Sequence, residues 1–258
     1  MVSPFFFGAE AQPLYGVYHP PAQDRVSSKA VVLCGPGPQE YMLTHWALRR
    51  LAALLSKVGV HVLRFDYFGM GDSAGQSEEG TLQIWQQDIQ TATVALKKLA
   101  KVERVSLIGY RLGAVLAWRA AATAEARPQD LVLWDPVLDG GEYLTELVES
   151  DAAFCARLLH YPTPTDPPEE LGGYVLPTGL RQETARIRLL DEPLPNATRV
   201  HLYVGRETKE NAALRTRLES LRRFSYAHVP EEGVNGSGNL LSTRVLQVIS
   251  SALAPEDS

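Results

Sequence analysis

Two hydrophobic periods alternate along most of this chain. Short, nearly continuous apolar runs occur at Ala30–Cys34, Val60–Phe65, Val105–Ile108, Leu131–Trp134, Arg199–Val204 and Phe224–Val229. Such runs, bounded by turn residues, predict buried strands. Between them the apolar residues fall at helical spacing. They predict helices over Thr44–Val58 with Thr44 as N-cap, from Thr81 through Lys98, and over Ala114–Ala124, Asn211–Leu221 and Leu240–Ala254. The first 30 residues differ, with Phe5–Phe7 and Leu14–Tyr18 reading as two antiparallel strands at a sheet edge, closed by His19-Pro-Pro. Strand and helix units in strict succession, with strands apolar on both faces, imply an α/β fold. The central sheet is expected to be mostly parallel and flanked by helices.

The alternation breaks from Asp139 to Asn196. A helical stretch from Gly140 is followed there by the Pro-rich run Tyr161–Pro168 and by Leu171–Gly179, which is rich in turn residues. This block is expected to be a cap inserted over the sheet's C-terminal edge. The expected division is a core of residues 1–138 and 197–258, with 139–196 as the cap, in a single domain. A chain of 258 residues is compatible with one α/β core.

Composition narrows the partners. The chain is 45% hydrophobic and 21% charged, with a net charge of −5, so it carries no basic footprint for nucleic acid. Cys34 and Cys155 form neither a metal spacing nor a disulfide framework, which points to reduced thiols in the cytoplasm. No apolar run approaches the length of a membrane span, and the Phe5–Phe7 triplet lacks the flanks of an export signal. Neither a metal nor a cofactor is expected, and a homodimer is left open.

The most telling stretch is Arg104-Val-Ser-Leu-Ile-Gly109-Tyr-Arg111-Leu-Gly113-Ala-Val-Leu-Ala-Trp118. It reads as a buried strand, a sharp turn set by two glycines, and an apolar helix, the layout of a G-x-S-x-G nucleophile elbow. The third residue is Arg111. Three further motifs follow predicted strands: Cys34–Tyr41, Phe65–Gly75 with its Asp-x-x-Gly-x-Gly-x-Ser turn, and Leu131–Pro136. With these motifs the chain resembles the α/β-hydrolase superfamily, nearest to its serine aminopeptidase-like and exosortase-associated hydrolase-like members. The resemblance covers nearly the whole chain.

The resemblance implies a serine at the elbow, an acid after the seventh strand and a histidine after the eighth. Here the elbow holds Arg111, Glu207 stands after the seventh strand, and Val229–Gly238 contains Asn235 but no histidine. A guanidinium has no lone pair to offer a carbonyl, whereas it grips a carboxylate or phosphate. Substitutes for the missing groups are weak. His228 falls at a strand end, His45 near the start of a helix, Cys34 in a buried strand, and Ser73 and Ser237 in glycine-bearing loops.

Arg111 lies where a helix N-terminus already favours an anion. Gly37 and Gln39 are the backbone donors expected opposite it, since Pro36 and Pro38 cannot donate. Tyr41, His45, Tyr110 and Leu112 are expected to line the same pocket. Asp135, Glu40 and Glu207 are the acids that Arg111 would meet internally. Three functions follow as expectations. The first is a protein without the Ser-His triad that binds an acyl or carboxylate-bearing small molecule, or an acyl-carrier thioester, through Arg111. The second is an enzyme that uses Arg111 electrostatically with Asp135 or Glu207 as base, for hydrolysis, acyl transfer or lyase chemistry. The third is an interaction scaffold.

Overall fold

The computed structural model describes residues 2–22, 28–123, 127–158, 170–230 and 243–255. Strands β1 (Ser3–Ala9) and β2 (Gln12–His19) form the expected antiparallel pair. They lead into β3 (Ala30–Cys34), α1 (Pro38–Lys57), β4 (His61–Phe65), α2 (Leu82–Ala100), β5 (Ser106–Tyr110), α3 (Leu112–Ala122) and β6 (Asp130–Trp134). After β6 come α4 (Gly140–Leu158), a small hairpin of β7 (Glu170–Leu171) and β8 (Tyr174–Val175), and α5 (Thr178–Ala185). The chain then returns to the sheet through β9 (Arg199–Val204), α6 (Lys209–Leu218), β10 (Phe224–His228) and α7 (Thr243–Leu253).

The main sheet has eight strands in the order β1-β2-β4-β3-β5-β6-β9-β10. β2 is antiparallel to both of its neighbours, and every pair from β4 to β10 is parallel. Side-chain alternation sends Val31, Leu33, Val62, Ile108 and Val132 to one face, where they pack with Leu51 and Leu55 of α1 and Leu246 and Ile249 of α7. Val32, Leu63, Leu107 and Leu131 face the other way, onto Trp85 and Ile89 of α2 and Val115 and Trp118 of α3. Strands covered on both faces have no polar side, which is why they read as continuous apolar runs.

Helix α1 starts six residues earlier than its apolar spacing predicts. Gly37 is the N-cap and Pro38 opens the first turn, where its fixed φ suits a helix and its missing N–H is no loss. Thr44 lies inside the helix, buried, with its hydroxyl donating to the Glu40 carbonyl at 2.9 Å. The early start puts Gln39, Glu40 and Tyr41 on a rigid turn beside the elbow. Thr81 does cap α2, accepting from Ile84 N at 3.2 Å. Asn235, Ser237 and the Pro-rich run 161–168 lie outside the described residues.

The elements between β6 and β9 share the main core through Leu147, Leu171, Leu180 and Ile187. Among the described residues no helix is long and apolar enough to cross a membrane.

Candidate functional site

Strand β5 runs into α3 through a single residue. Arg111 takes φ 52° and ψ −118°, a conformation costly for any residue with a Cβ. Non-glycine residues held in such regions cost on the order of 1–3 kcal/mol. The turn is held by Arg111 N donating to Trp134 O at 3.0 Å and by Ala114 N donating to Arg111 O at 3.0 Å. The two glycines permit the close approach this needs. A Cβ on Gly109 would stand 2.4 Å from Ala114 Cα, and one on Gly113 would stand 2.2 Å from the Gly35 carbonyl oxygen.

The guanidinium of Arg111 is shared between two acids from different parts of the chain. Its Nε donates to Glu40 Oε1 at 3.1 Å, and its Nη2 donates to Glu146 Oε2 of α4 at 2.5 Å. The Glu40 side chain is 14% exposed and that of Glu146 is 60% exposed. Tyr143, one turn before Glu146, donates its hydroxyl to Glu40 Oε2 at 2.7 Å and lies 5.1 Å from the guanidinium carbon, measured to its ring centre. Burial opposes the charge on Arg111, but Glu40 and Glu146 together outweigh it and raise its pKa. Burial, then Glu40, hold the Tyr143 phenol far above its ordinary range.

Gly37 and Gln39 border this cluster. A Cβ on Gly37 would meet Leu112 Cδ2 at 3.2 Å, Tyr143 Oη at 3.5 Å and Gln39 Oε1 at 3.6 Å. The Gln39 amide nitrogen is buried and has no hydrogen-bond partner among the described residues. A buried donor left unmet costs about 1–3 kcal/mol. Chemically the cluster is one guanidinium shared by two carboxylates, with a phenol on one of them, and it contains no serine, cysteine or histidine.

The other predicted residues are placed elsewhere. Asp135 accepts from Gly205 N at 2.7 Å, at the start of the loop after β9. Glu207 is exposed and accepts from Tyr226 Oη at 2.5 Å. The only acids paired with Arg111 among the described residues are thus Glu40 and Glu146, not Asp135 or Glu207. Tyr110 is buried with its ring 4.5 Å from that of Trp134, on the α1 and α7 side of the sheet. Leu112 is buried in the opposite core. Tyr41 donates to Asp66 Oδ1 at 2.9 Å, and the His45 ring lies 5.8 Å from it. Tyr41 and His45 line a cavity of about 310 Å³ whose walls include neither Arg111 nor Glu40, so the residues expected in one pocket separate into two places.

Of the remaining nucleophile candidates, Cys34 and Ser73 have structural roles. Burial pushes the Cys34 thiol well above its usual range. Ser73 ties the Asp-x-x-Gly-x-Gly-x-Ser turn to β2, donating to Asp66 O at 2.6 Å and accepting from Tyr15 N at 2.9 Å. His228 is exposed at the end of β10. Glu146 is the partner of Arg111 that sequence analysis missed. Its three-residue spacing from Tyr143 places both on one helical face and was the available signal.

Comparison with known proteins agrees with this architecture. The family model for serine aminopeptidase S33 matches residues 26–192. Human palmitoyl-protein thioesterase ABHD10, a mitochondrial protein, is 35% identical over 97 residues, which is 38% of this chain and only 29% of that protein's length. An esterase from Pyrococcus furiosus superposes with a TM-score of 0.68 at 16% identity, over 98% of this chain and 90% of that one. Mouse α/β-hydrolase domain-containing protein 10 superposes with a TM-score of 0.62 at 16% identity, over 97% and 96% of the two chains. With the eight-stranded sheet, the strained elbow and the family match over most of its length, the chain belongs to the serine aminopeptidase S33 family of the α/β-hydrolase superfamily.

Proposed function

We propose that this protein is a non-hydrolytic member of its family that binds an acyl or carboxylate-bearing small molecule, or an acyl-carrier thioester, with the anionic head on Arg111. The observation that carries this proposal is the unequal pair of acids on Arg111. Glu40 is mostly buried and also holds Tyr143, whereas Glu146 is more than half exposed. An exposed carboxylate regains most of its hydration when it leaves an ion pair, so a ligand carboxylate replaces Glu146 at little net cost. The unmet Gln39 amide offers a second donor to the incoming group. Residues 139–196 then act as a cap whose α4 is released from Arg111 when ligand binds. The thioesterase named among the relatives supports an acyl ligand.

Loss of hydrolysis follows from the chemistry of the positions. Arginine cannot be acylated as a serine is, and no histidine occurs in the sequence after His228. The deciding experiment measures turnover of acyl esters and acyl thioesters by wild type, Arg111→Ala and Arg111→Ser, beside thermal melting with laurate. Inert proteins throughout, with laurate raising the melting temperature only where Arg111 is present, are expected. Turnover by wild type that Arg111→Ala abolishes would overturn the non-hydrolytic assignment.

A further inference from the structure

The cavity holding Tyr41 and His45 has its own chemistry, independent of Arg111. It lies between the first half of α1 and the β2–β4 pair, and Leu33, Leu48, Phe65 and Met70 supply an apolar wall. Arg64 of β4, paired in register with Val17 of β2, enters it from the sheet, and Arg49 borders it from α1.

Arg64 is half-buried and makes no direct ion pair among the described residues; burial lowers its pKa, and Asp66, which lines the same cavity, offsets this in part. The Arg64 Nε donates to His19 Nε2 at 3.3 Å. His19 is buried, and desolvation, then Arg64 and Arg49, lower its pKa to about 4, so it accepts as the neutral ring. Among the described residues no carboxylate comes within 4.0 Å of Arg64 or Arg49, and no acceptor meets the Nη1 or Nη2 of Arg64. Asp66 also lines the cavity, and its two oxygens accept from Tyr41 Oη at 2.9 Å and Asp72 N at 3.1 Å rather than from Arg64. Asp72, the other acid at the wall, is exposed.

A partly desolvated guanidinium in no direct ion pair, with Nη1 and Nη2 met by no acceptor among the described residues, matches a carboxylate bidentately. The volume of about 310 Å³ sits at the low end of the roughly 300–1,000 Å³ found for ligand pockets, which limits the guest to a compact body. We propose that this cavity is a binding site for a small organic carboxylate with an apolar body. Nη1 and Nη2 of Arg64 hold its carboxylate, Arg49 adds positive charge at the wall, and Leu33, Leu48, Phe65 and Met70 enclose the remainder.

Benzoate is the probe, titrated calorimetrically into the full chain, with benzyl alcohol as the uncharged control and inorganic phosphate as the anion without a body. Benzoate is expected to bind wild type and Arg111→Ala alike. It should bind about tenfold or more weakly to Arg64→Gln and not at all to Leu48→Trp, which fills the cavity and leaves both arginines in place. Each variant is first checked for a cooperative melt, and the Leu48 variant decides the matter should Arg64→Gln not fold. Absence of benzoate binding to folded wild type would overturn the proposal. So would equal binding of benzyl alcohol or phosphate, or full affinity in Leu48→Trp. Binding lost in Arg111→Ala and kept in Arg64→Gln would assign the carboxylate to the elbow instead.

Discussion

Replacing Glu40 or Glu146 by alanine removes one acid from the same guanidinium, and the two changes are expected to differ several-fold in cost. Glu40 is 14% exposed, faces an Arg111 side chain that is 22% exposed, and accepts the buried Tyr143 hydroxyl at 2.7 Å. Breaking a fully buried pair costs about 3–5 kcal/mol. Discounted for the residual exposure of both partners, Glu40→Ala should cost about 2–3 kcal/mol. Glu146, 60% exposed, makes one contact to Arg111 in solvent, and exposed pairs contribute about 0.2–1 kcal/mol. For a chain of this size, 1 kcal/mol moves the melting temperature by about 2–4 °C. Glu40→Ala should therefore melt about 4–12 °C below wild type, and Glu146→Ala no more than about 4 °C below. Calorimetry on the two variants and their double mutant measures both costs and their coupling through Arg111. Equal losses from the two would refute the assignment of Glu40 as the fixed partner and Glu146 as the exchangeable one.

Three more outcomes follow from buried groups. Burial raises Asp88 to about 6 despite its hydrogen bond from Phe68 N, and burial with two arginines lowers His19 to about 4. Folded Asp88 takes up its proton as pH falls from 6 towards 4, which favours folding; His19 fails to take up one between 6.5 and 4, which opposes it. Each is worth about 3 kcal/mol, so Asp88→Asn should make stability fall steeply between pH 6.5 and 4 in urea titrations, where wild type changes little from these two groups. Asp130 is held near 2, because His201, Arg199 and Ser106 outweigh its burial. Its stabilisation is complete above its ordinary 3.8 and lost as pH falls to 2. Asp130→Asn should cost about 2–4 kcal/mol at pH 7, with the gap to wild type closing below pH 4. Finally, Gly113→Ala places a Cβ 2.2 Å and 2.3 Å from two backbone carbonyl oxygens and should cost at least about 3 kcal/mol. Gly179→Ala, in α5 with nothing within 4 Å, should be neutral or stabilising by up to about 1 kcal/mol in the same denaturation assay.

Local chemistry made much of this legible beforehand. Strands such as Ala30–Cys34 and Leu131–Trp134 are buried on both faces, so their apolar runs give them away, and Gly109 and Gly113 mark the elbow because no other residue admits those approaches. The start of α1 was less legible, since Gly35–Pro38 has the composition of a loop while Pro38 serves equally well in a first helical turn.

The sequence by itself determined the α/β architecture, the elbow and the presence of a cation where a nucleophile would stand, because each depends on residues close together in the chain. Which acids hold that cation was decided only by the tertiary structure. Glu40 and Glu146 lie 71 and 35 residues from Arg111, and local spacing cannot show which of several candidate acids the packing of α1 and α4 turns towards one guanidinium. The separate cavity at Arg64 arises in the same way, from a helix laid across two strands that are neighbours in space and distant in sequence.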